Sequence, residues 1–548
     1  MCTNSTELLL PNRSKSLKNE DTKTQSLKEQ GAWLLVAKII AFGFSFALPL
    51  LIVRFMPLNE VGHYREAFQI ITNALVILPL GFSMSAYYFL AREKERRGAA
   101  VLNILLFNFV VGGLAALTLF LYPQLLGGLT RSEELTRLGP AIGIVIWIWI
   151  FSTFLETVAI ANSEAKAATY FIVFASFSKT LLMGGAVLGF ATVEAFIYAS
   201  MIHGVIQTAI LLNYLRSRFP GFWRDFDPAF FREQMRYAIP FGLTAILWTA
   251  QTDIHNYFVF YKFTAADFAI YAYGCFQLPL ISMLAESISS VLIPRMNALQ
   301  QVGEREEMLR LTVRATQKLA FFYFPIYAFL MITAETFVLT LFTKEYLQST
   351  PIFMINLTLI PLSILVTDPI VRSYKELGRF FLLTRIFVLT LLIGVLYFWL
   401  DHFSLTGVIT VAVAALVLEK VIGESMVIKK LGLGWKDLPL LKDVGKVAVI
   451  TLFAGLITYI VYVNVHVYVE EIGERLAQEA FTTNRASTLN FVGGSLVLLI
   501  SGLVFAPIYL LGANFWGVIE EADKRSVMNL IRKFLPKQRV APLVDLKN

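Results

Sequence analysis

Charge and cysteine are both scarce in this chain. Of its 548 residues only 16% are charged, whereas 57% are apolar. Soluble domains carry about 25% charged residues, so this composition excludes an ordinary soluble protein. The two cysteines, Cys2 and Cys275, predict no disulfide, and the sequence has no CxxC pair and no Cys/His cluster with metal-ligand spacing. We therefore expect neither a metal site nor a cofactor.

Long hydrophilic segments are also missing. The longest connection expected on the outer side of a membrane runs from Val465 to Thr488, which is too short for a folded domain. The sequence contains no Walker motif and no glycine-rich nucleotide loop. A polysaccharide polymerase or glycan ligase would need catalytic residues in a sizeable external loop. We therefore predict that the protein is not an enzyme.

Long apolar runs fill the chain instead. About 20 apolar residues span the hydrocarbon core of a bilayer, and only helices satisfy the backbone there. The sequence thus predicts an all-α, polytopic membrane protein of about 14 transmembrane helices. The predicted spans are 32–53, 66–91, 99–122, 139–162, 167–190, 194–213, 237–261, 267–294, 319–342, 351–371, 380–400, 405–428, 447–465 and 488–512.

Lys and Arg collect in every second connection. Of the 47 Lys and Arg residues, 36 lie in the two tails and the even-numbered connections. This count includes Arg385, which lies near the start of span eleven and is grouped with the tenth connection. Eight lie in the odd-numbered connections, and three lie inside spans. Cytoplasmic loops carry the excess of Lys and Arg, so both termini are predicted to be cytoplasmic. This orientation explains the net charge of +8, and we expect no nucleic-acid partner.

The first pair of spans resembles the seventh and eighth. Residues 60–64 (EVGHY) are matched by 267–271 (DFAIY), and Leu-Pro-Leu at 78–80 is matched at 278–280, several residues out of register. Parallel six-helix repeats facing a central cavity are typical of transporters. The predicted organisation is a cytoplasmic tail (1–31), an N-lobe (32–213), a basic cytoplasmic linker (214–236), a C-lobe (237–428), an extra helix pair (447–512) and a second tail (513–548).

Two six-helix lobes, the acidic turn after span one and an added helix pair resemble the multidrug/oligosaccharidyl-lipid/polysaccharide exporter superfamily. Within it, 14 spans resemble the Wzx-type oligosaccharide flippases and also the lipid II flippases, whereas the drug/cation antiporters usually have 12. The resemblance implies two lobes that rock around a cavity, and a polyprenyl-diphosphate-linked glycan as substrate. It also implies that spans 13 and 14 form a groove for the lipid tail.

Span seven holds the most polar mid-membrane stretch, residues 248–257. Buried polar groups in a membrane face partners or water, so this stretch predicts the lining of a wet cavity; the alternative is a hydrogen-bonded seam between helices. Gln251 and Asn256 are substrate-binding candidates. The ion-coupling candidates are Asp253, Glu286 in span eight, and His255, because an unperturbed histidine side chain titrates near neutral pH.

Four cations are candidates for holding a diphosphate. Lys38 and Lys179 lie inside spans one and five, and Arg54 and Arg65 flank the turn between spans one and two. Fixed cations compensate phosphate charge without a metal. As alternatives, Lys38 snorkels to the surface and the two arginines anchor helix ends.

The function predicted from these observations is a flippase. It would move a polyprenyl-diphosphate-linked repeat unit of O-antigen, capsule or exopolysaccharide from the inner to the outer leaflet of the cytoplasmic membrane by alternating access. A cation-coupled multidrug antiporter and a lipid II flippase are the alternatives. The expected partners are the lipid-linked glycan, membrane lipids, H⁺ or Na⁺ and other polysaccharide-assembly proteins.

Overall fold

The computed structural model describes residues 27–432, 434–481 and 486–519, together with 521, 524 and 525. The described chain is helical and contains no strand. The all-α fold class is therefore confirmed. Most of the two predicted cytoplasmic tails, including Cys2, lies outside the described residues.

The first half of the chain, which we call the N-lobe (residues 27–218), contains ten helices. They are α1 (Leu27–Phe55), α2 (Leu58–Ile77), α3 (Ala86–Arg92), α4 (Arg97–Leu121), α5 (Gln124–Thr130), α6 (Glu133–Arg137), α7 (Gly139–Ser152), α8 (Phe154–Ala161), α9 (Ala165–Gly189) and α10 (Val193–Arg218).

The second half, the C-lobe (residues 228–431), also contains ten, and a helix pair follows it. These helices are α11 (Pro228–Lys262), α12 (Ala265–Gly274), α13 (Pro279–Val302), α14 (Arg305–Ile332), α15 (Ala334–Phe342), α16 (Thr350–Leu357), α17 (Leu359–Leu362), α18 (Asp368–Ser373), α19 (Lys375–Trp399), α20 (Leu405–Leu431), α21 (Lys442–Phe481) and α22 (Ala486–Phe515).

Among the described residues, ten helices are long and apolar enough to cross a membrane, and two bent pairs bring the number to at most 12. Every one of the 14 predicted spans falls on a helix or a group of short helices. Span seven is not among the 12 because the polar stretch of α11 makes this helix too hydrophilic. Span ten is not among them because it divides into three helices, α16, α17 and α18, each too short to cross a membrane. The count of 14 therefore stays a prediction.

Both bent pairs break at the repeated Leu-Pro-Leu sequence. The chain bends by 45° between α2 and the helical residues 82–92, and by 48° between α12 and α13. Pro79 and Pro279 lie at these breaks, where a residue without an N–H cannot continue the ladder of a helix. Leu80 and Gly81 complete the first break with φ values of 48° and 72°. Spans two and eight thus share one form.

The predicted linker 214–236 is mostly helical. Because α10 continues to Arg218 and α11 begins at Pro228, only residues 219–227 connect the two lobes. Phe222 and Phe230 are buried in one apolar cluster with Phe89 of the N-lobe. The start of α11 is therefore packed against the N-lobe, because its aromatic side chains have an apolar surface to cover.

The expected outer connection from Val465 to Thr488 is helical for most of its length. Helix α21 continues to Phe481, so its 40 residues extend for about 60 Å. The two helices of the pair approach closely, since a Cβ atom on Gly473 would lie 2.6 Å from the Gly493 Cα. Tyr509 Oη on α22 donates to the Phe321 carbonyl at 2.7 Å and joins the pair to the C-lobe.

Candidate substrate-binding and coupling site

One face of α11 contacts the N-lobe through four polar side chains, which we call the interlobe chain. Gln69 Nε2 on α2 donates to Asp253 Oδ2 at 2.9 Å and to Asn73 Oδ1 at 3.2 Å. Asn73 Nδ2 in turn donates to Tyr257 Oη at 3.0 Å. Asp253 and Tyr257 are four residues apart and therefore point from the same side of the helix. Hydrogen bonds thus join the two lobes where sequence reasoning expected a polar lining.

A second face of α11 contacts other C-lobe helices through what we call the C-lobe cluster, Gln251, Arg385 and Glu419. Arg385 Nη2 and Nε lie 3.0 and 3.2 Å from Glu419 Oε1, and Gln251 Nε2 donates to Glu419 Oε2. Gln251 is only 1% exposed and Glu419 only 7%. Arg385 also lies over the Trp248 ring, 4.8 Å from its centroid. Each charge of this intramembrane pair therefore has a partner.

The other candidates of spans seven and eight are dispersed. His255 Nδ1 forms a 2.7 Å hydrogen bond with Tyr271 Oη, and its ring is buried. Asn256 is also buried. Glu286 is exposed on α13 and so does not share the environment of Asp253. In this conformation the polar stretch forms the hydrogen-bonded seam that was the alternative to a wet cavity.

Lys179 lies in a separate cavity within the N-lobe. The cavity has a volume of about 220 Å³ and is enclosed by α7, α8, α9 and α10, with Glu156, His203 and Gln207 among its lining residues. Lys179 Nζ lies 5.3 Å from the centroid of the Trp149 ring. Within the described part of the chain this ammonium forms no hydrogen bond and no ion pair. It is consequently available to an anion or to water in the cavity.

Lys38 is exposed on α1 and lies within electrostatic range of Glu156. Glu156 also lines the cavity that contains Lys179. Glu156 is therefore a neighbour that the two predicted lysines share.

Arg54 at the end of α1 and Arg65 on α2 connect the two lobes near the turn between these helices, at the predicted outer end of the bundle. Arg54 Nη2 and Nη1 donate to the carbonyls of Thr340 and Leu341 at 2.8 and 3.0 Å. Arg65 Nη2 donates to the Ala272 carbonyl at 3.3 Å, and its guanidinium lies over the Tyr273 ring. Both arginines are thus contacts between lobes here.

The sequence analysis did not identify Arg385 as a site residue, because it lies near the start of span eleven and was counted with the preceding connection. The missed partners Gln69 and Asn73 had a weak signal, since polar residues four apart in an apolar span share one helix face. Lys420 and Glu424, four residues apart on α20, form hydrogen bonds with the segment before α18. Lys420 Nζ donates to the Leu365 carbonyl, and Glu424 accepts from Thr367 Oγ1.

Comparisons with known proteins give a family and a fold. A family model described as "Polysaccharide biosynthesis protein" matches residues 51–351, more than half of the chain. A search of curated protein sequences finds no match. The chain is similar in structure to the lipid II flippase MurJ in an inward closed conformation, with a TM-score of 0.66 and 14% identity over 88% of this chain and 98% of that one.

Two further solved structures are similar. One is an inward-facing multidrug resistance MATE family transporter of the MOP superfamily, with a TM-score of 0.57 and 18% identity over 73% of this chain and 99% of that one. The other is a MOP superfamily transporter from Pyrococcus furiosus, with a TM-score of 0.52 and 18% identity over 75% of this chain and 98% of that one. At these identities the likeness shows a shared fold, which is the fold that the sequence resemblance implied.

Proposed function

Since this chain belongs to the family of polysaccharide biosynthesis proteins, we propose that it is a flippase for a polyprenyl-diphosphate-linked oligosaccharide. It would act in the cytoplasmic membrane, with both termini in the cytoplasm, and move the glycan from the inner to the outer leaflet. The activity is transport and not catalysis. The repeat unit of an O-antigen, a capsule or an exopolysaccharide is the substrate class.

The interlobe chain is the observation that carries this proposal. A flippase must open each end of its bundle in turn, so contacts between its lobes must break and form again. Opening exchanges an interlobe hydrogen bond for one with water, at a net cost of only about 0.5–1.5 kcal/mol. The contacts from Gln69 to Asp253 and from Asn73 to Tyr257 are of this separable kind. They join α2 of the N-lobe to α11 of the C-lobe.

The substrate's diphosphate would be held by Lys179, with Lys38 nearer the N-lobe surface. The support is that Lys179 Nζ faces a cavity with no described acid at ion-pair distance. A charged group inside a membrane is costly unless it has a partner, and a phosphate oxygen would supply one. Arg54, Arg65, Gln251 and Asn256 would meet the glycan only after the lobes separate, because here they are buried or engaged.

Coupling would depend on Asp253, with His255 behind it in the C-lobe. The support for Asp253 is its position at the lobe interface, where binding of H⁺ or Na⁺ changes the charge that the interlobe chain surrounds. The exposed Glu286 has no such support in this conformation. A net negative substrate would also draw on the membrane potential, which contributes about 2.3 kcal/mol per charge per 100 mV.

A cation-coupled drug antiporter is the second candidate function. The observation that favours it is the same acidic group, Asp253, in a seam between lobes whose fold is shared with a multidrug transporter. The coverage of the chain favours the flippase, because the lipid II flippase structure matches 88% of it and the multidrug transporter 73%.

Native mass spectrometry of the gently purified full-length protein tests the proposal. We expect a co-purifying polyprenyl-diphosphate glycan, and about tenfold or greater loss of it in Lys179→Met, since a hydrogen bond to a charged group contributes about 1.5–3 kcal/mol. Lys166→Met is the matched control, because Lys166 is exposed on the same helix α9. Equal loss in both variants would contradict the role of Lys179. No bound glycan, together with Na⁺- or H⁺-dependent uptake of cationic drugs by vesicles, would favour the antiporter.

A further inference from the structure

The C-lobe contains a second cavity that neither the lobe interface nor the Lys179 site uses. Its volume is about 390 Å³, and it lies between α14, α18, α20 and the 3₁₀ helix Trp435–Leu441. Leu309 and Leu431 line one end, where α14 begins and α20 ends. Thr316 and Glu424 line the other end, further along the two helices. The predicted orientation puts the first end, its mouth, at the cytoplasmic surface of the membrane.

The walls of this cavity suit an alkyl chain. Most of its lining side chains are aliphatic, among them Leu309, Val313, Val366, Ile370, Val427 and Leu431. The charged group at its deep end, Glu424, already accepts a hydrogen bond from Thr367. An alkyl chain that enters therefore leaves that carboxylate with its hydrogen-bond donor.

Two basic side chains lie at the mouth. Arg305 is one turn before Leu309 on the same face of α14. Its guanidinium lies against the end of α20, since a Cβ atom on Gly432 would be 2.0 Å from Arg305 Nη2. Lys436 is exposed between two lining residues. Within the described residues, neither Arg305 nor Lys436 forms an ion pair. Acids also lie near the mouth: Asp437 accepts a hydrogen bond from Gly434 N, Glu306 and Glu307 pair with Arg310, and Glu304 precedes Arg305.

We propose that this cavity binds one acyl chain of an anionic phospholipid, whose phosphate contacts Arg305 and Lys436. An apolar chamber beside unpaired cations at the cytoplasmic face complements a molecule with an alkyl chain and a negative head. The bound lipid would hold α14 and α20 to the 3₁₀ helix that leads into α21, where the hydrogen bond from Gln317 to the Leu440 carbonyl already forms one link. It would thereby fix the helix pair to the C-lobe, independently of the transported substrate.

Lipid titration of the full-length protein in detergent, followed by native mass spectrometry, tests this site. The probes are dioleoylphosphatidylglycerol and dioleoylphosphatidylcholine, which differ in headgroup charge and share their chains. We expect tighter binding of phosphatidylglycerol, weakened about fivefold by Arg305→Gln, because one cation near the surface contributes about 1 kcal/mol. Arg314→Gln is the matched control, since Arg314 is exposed on the opposite side of α14 and should leave binding unchanged.

Filling the cavity tests the place of the acyl chain. Thr312→Phe and Ile428→Trp should each weaken the binding of phosphatidylglycerol, and the 45% exposure of Ile428 makes its substitution compatible with folding. Equal affinities for the two lipids, equal effects of Arg305→Gln and Arg314→Gln, or unchanged binding in Ile428→Trp would each overturn the proposal. Displacement of phosphatidylglycerol by an equimolar polyprenyl phosphate would also overturn it and assign the cavity to the carrier lipid.

Discussion

Arg54→Ala should shift the protein toward a form that is open at the predicted outer end. Two Arg54 hydrogen bonds reach the C-lobe, and they end on carbonyls of the last turn of α15 that have no partner within their own helix. A hydrogen bond to a charged group contributes about 1.5–3 kcal/mol. Arg54 is only partly buried, so we take the lower value for each bond, about 3 kcal/mol in total. The closed form should therefore lose about 100-fold in relative population.

Distance measurements between spin labels check this shift. Labels at Leu125→Cys and Glu345→Cys, in a background without Cys2 and Cys275, would report the separation of the lobes by double electron–electron resonance. Leu125 and Glu345 are exposed residues of the N-lobe and the C-lobe. In Arg54→Ala the distribution should gain a longer distance that is minor in the parent protein. Arg54→Lys should lie between the two, because one ammonium cannot replace the fork of a guanidinium.

Arg137→Ala is the control for the loss of an outer arginine. Arg137 forms ion pairs with Glu134 and Glu194, and all three residues belong to the N-lobe. Its removal should leave the distances between lobes unchanged. If Arg54→Ala and Arg137→Ala gave the same distribution, the Arg54 hydrogen bonds would not hold the outer end closed.

Three further substitutions have distinct outcomes. Gly62→Ala should open the same end, because its Cβ atom would lie 1.9 Å from the Ala265 carbonyl oxygen on the other lobe, and the same labels would show it; an unchanged distance would refute this packing. Glu419→Leu should destabilise the protein by about 3–5 kcal/mol by leaving the Arg385 charge unpaired. Addition of Arg385→Met should restore much of the thermal stability, whereas additive losses would contradict a coupled pair. Asp253→Asn keeps a hydrogen-bond acceptor for Gln69 but loses the negative charge. Ion-dependent transport in vesicles should therefore stop, whereas the thermal stability should equal that of the parent protein. Retained ion dependence would exclude Asp253 from coupling.

The sequence identifies which polar residues belong to the candidate site, but not which residues they contact. The polar stretch of α11 is evident in sequence because Gln251, Asp253 and His255 interrupt an apolar run. Their partners lie on different helices: Glu419 on α20, Gln69 on α2 and Tyr271 on α12. Spacing along α11 separates the faces of that helix, but it carries no information about which helix each face meets.

Two connections expected between spans are largely helical for the same physical reason. The sequence predicts an outer connection after Val465 because charged residues end the apolar run of span 13, yet the helix α21 continues to Phe481. The linker was expected because its charges and aromatics interrupt two apolar runs, yet Phe222 and Phe230 are buried against the N-lobe. Hydropathy marks where a helix leaves hydrocarbon, whereas a helix ends only where packing and hydrogen bonds cease to favour it.

The helical class, the places of the apolar segments and their expected orientation follow from the amino-acid sequence alone. Each of these depends on the transfer of one segment and its flanking charges into a bilayer, which is a local property. Packing in three dimensions was needed to show that Asp253 and Tyr257 join the lobes, that Arg54 reaches α15, and that Lys179 faces a cavity of its own. These contacts join residues far apart in the chain, so they depend on how the helices pack and not on any one helix.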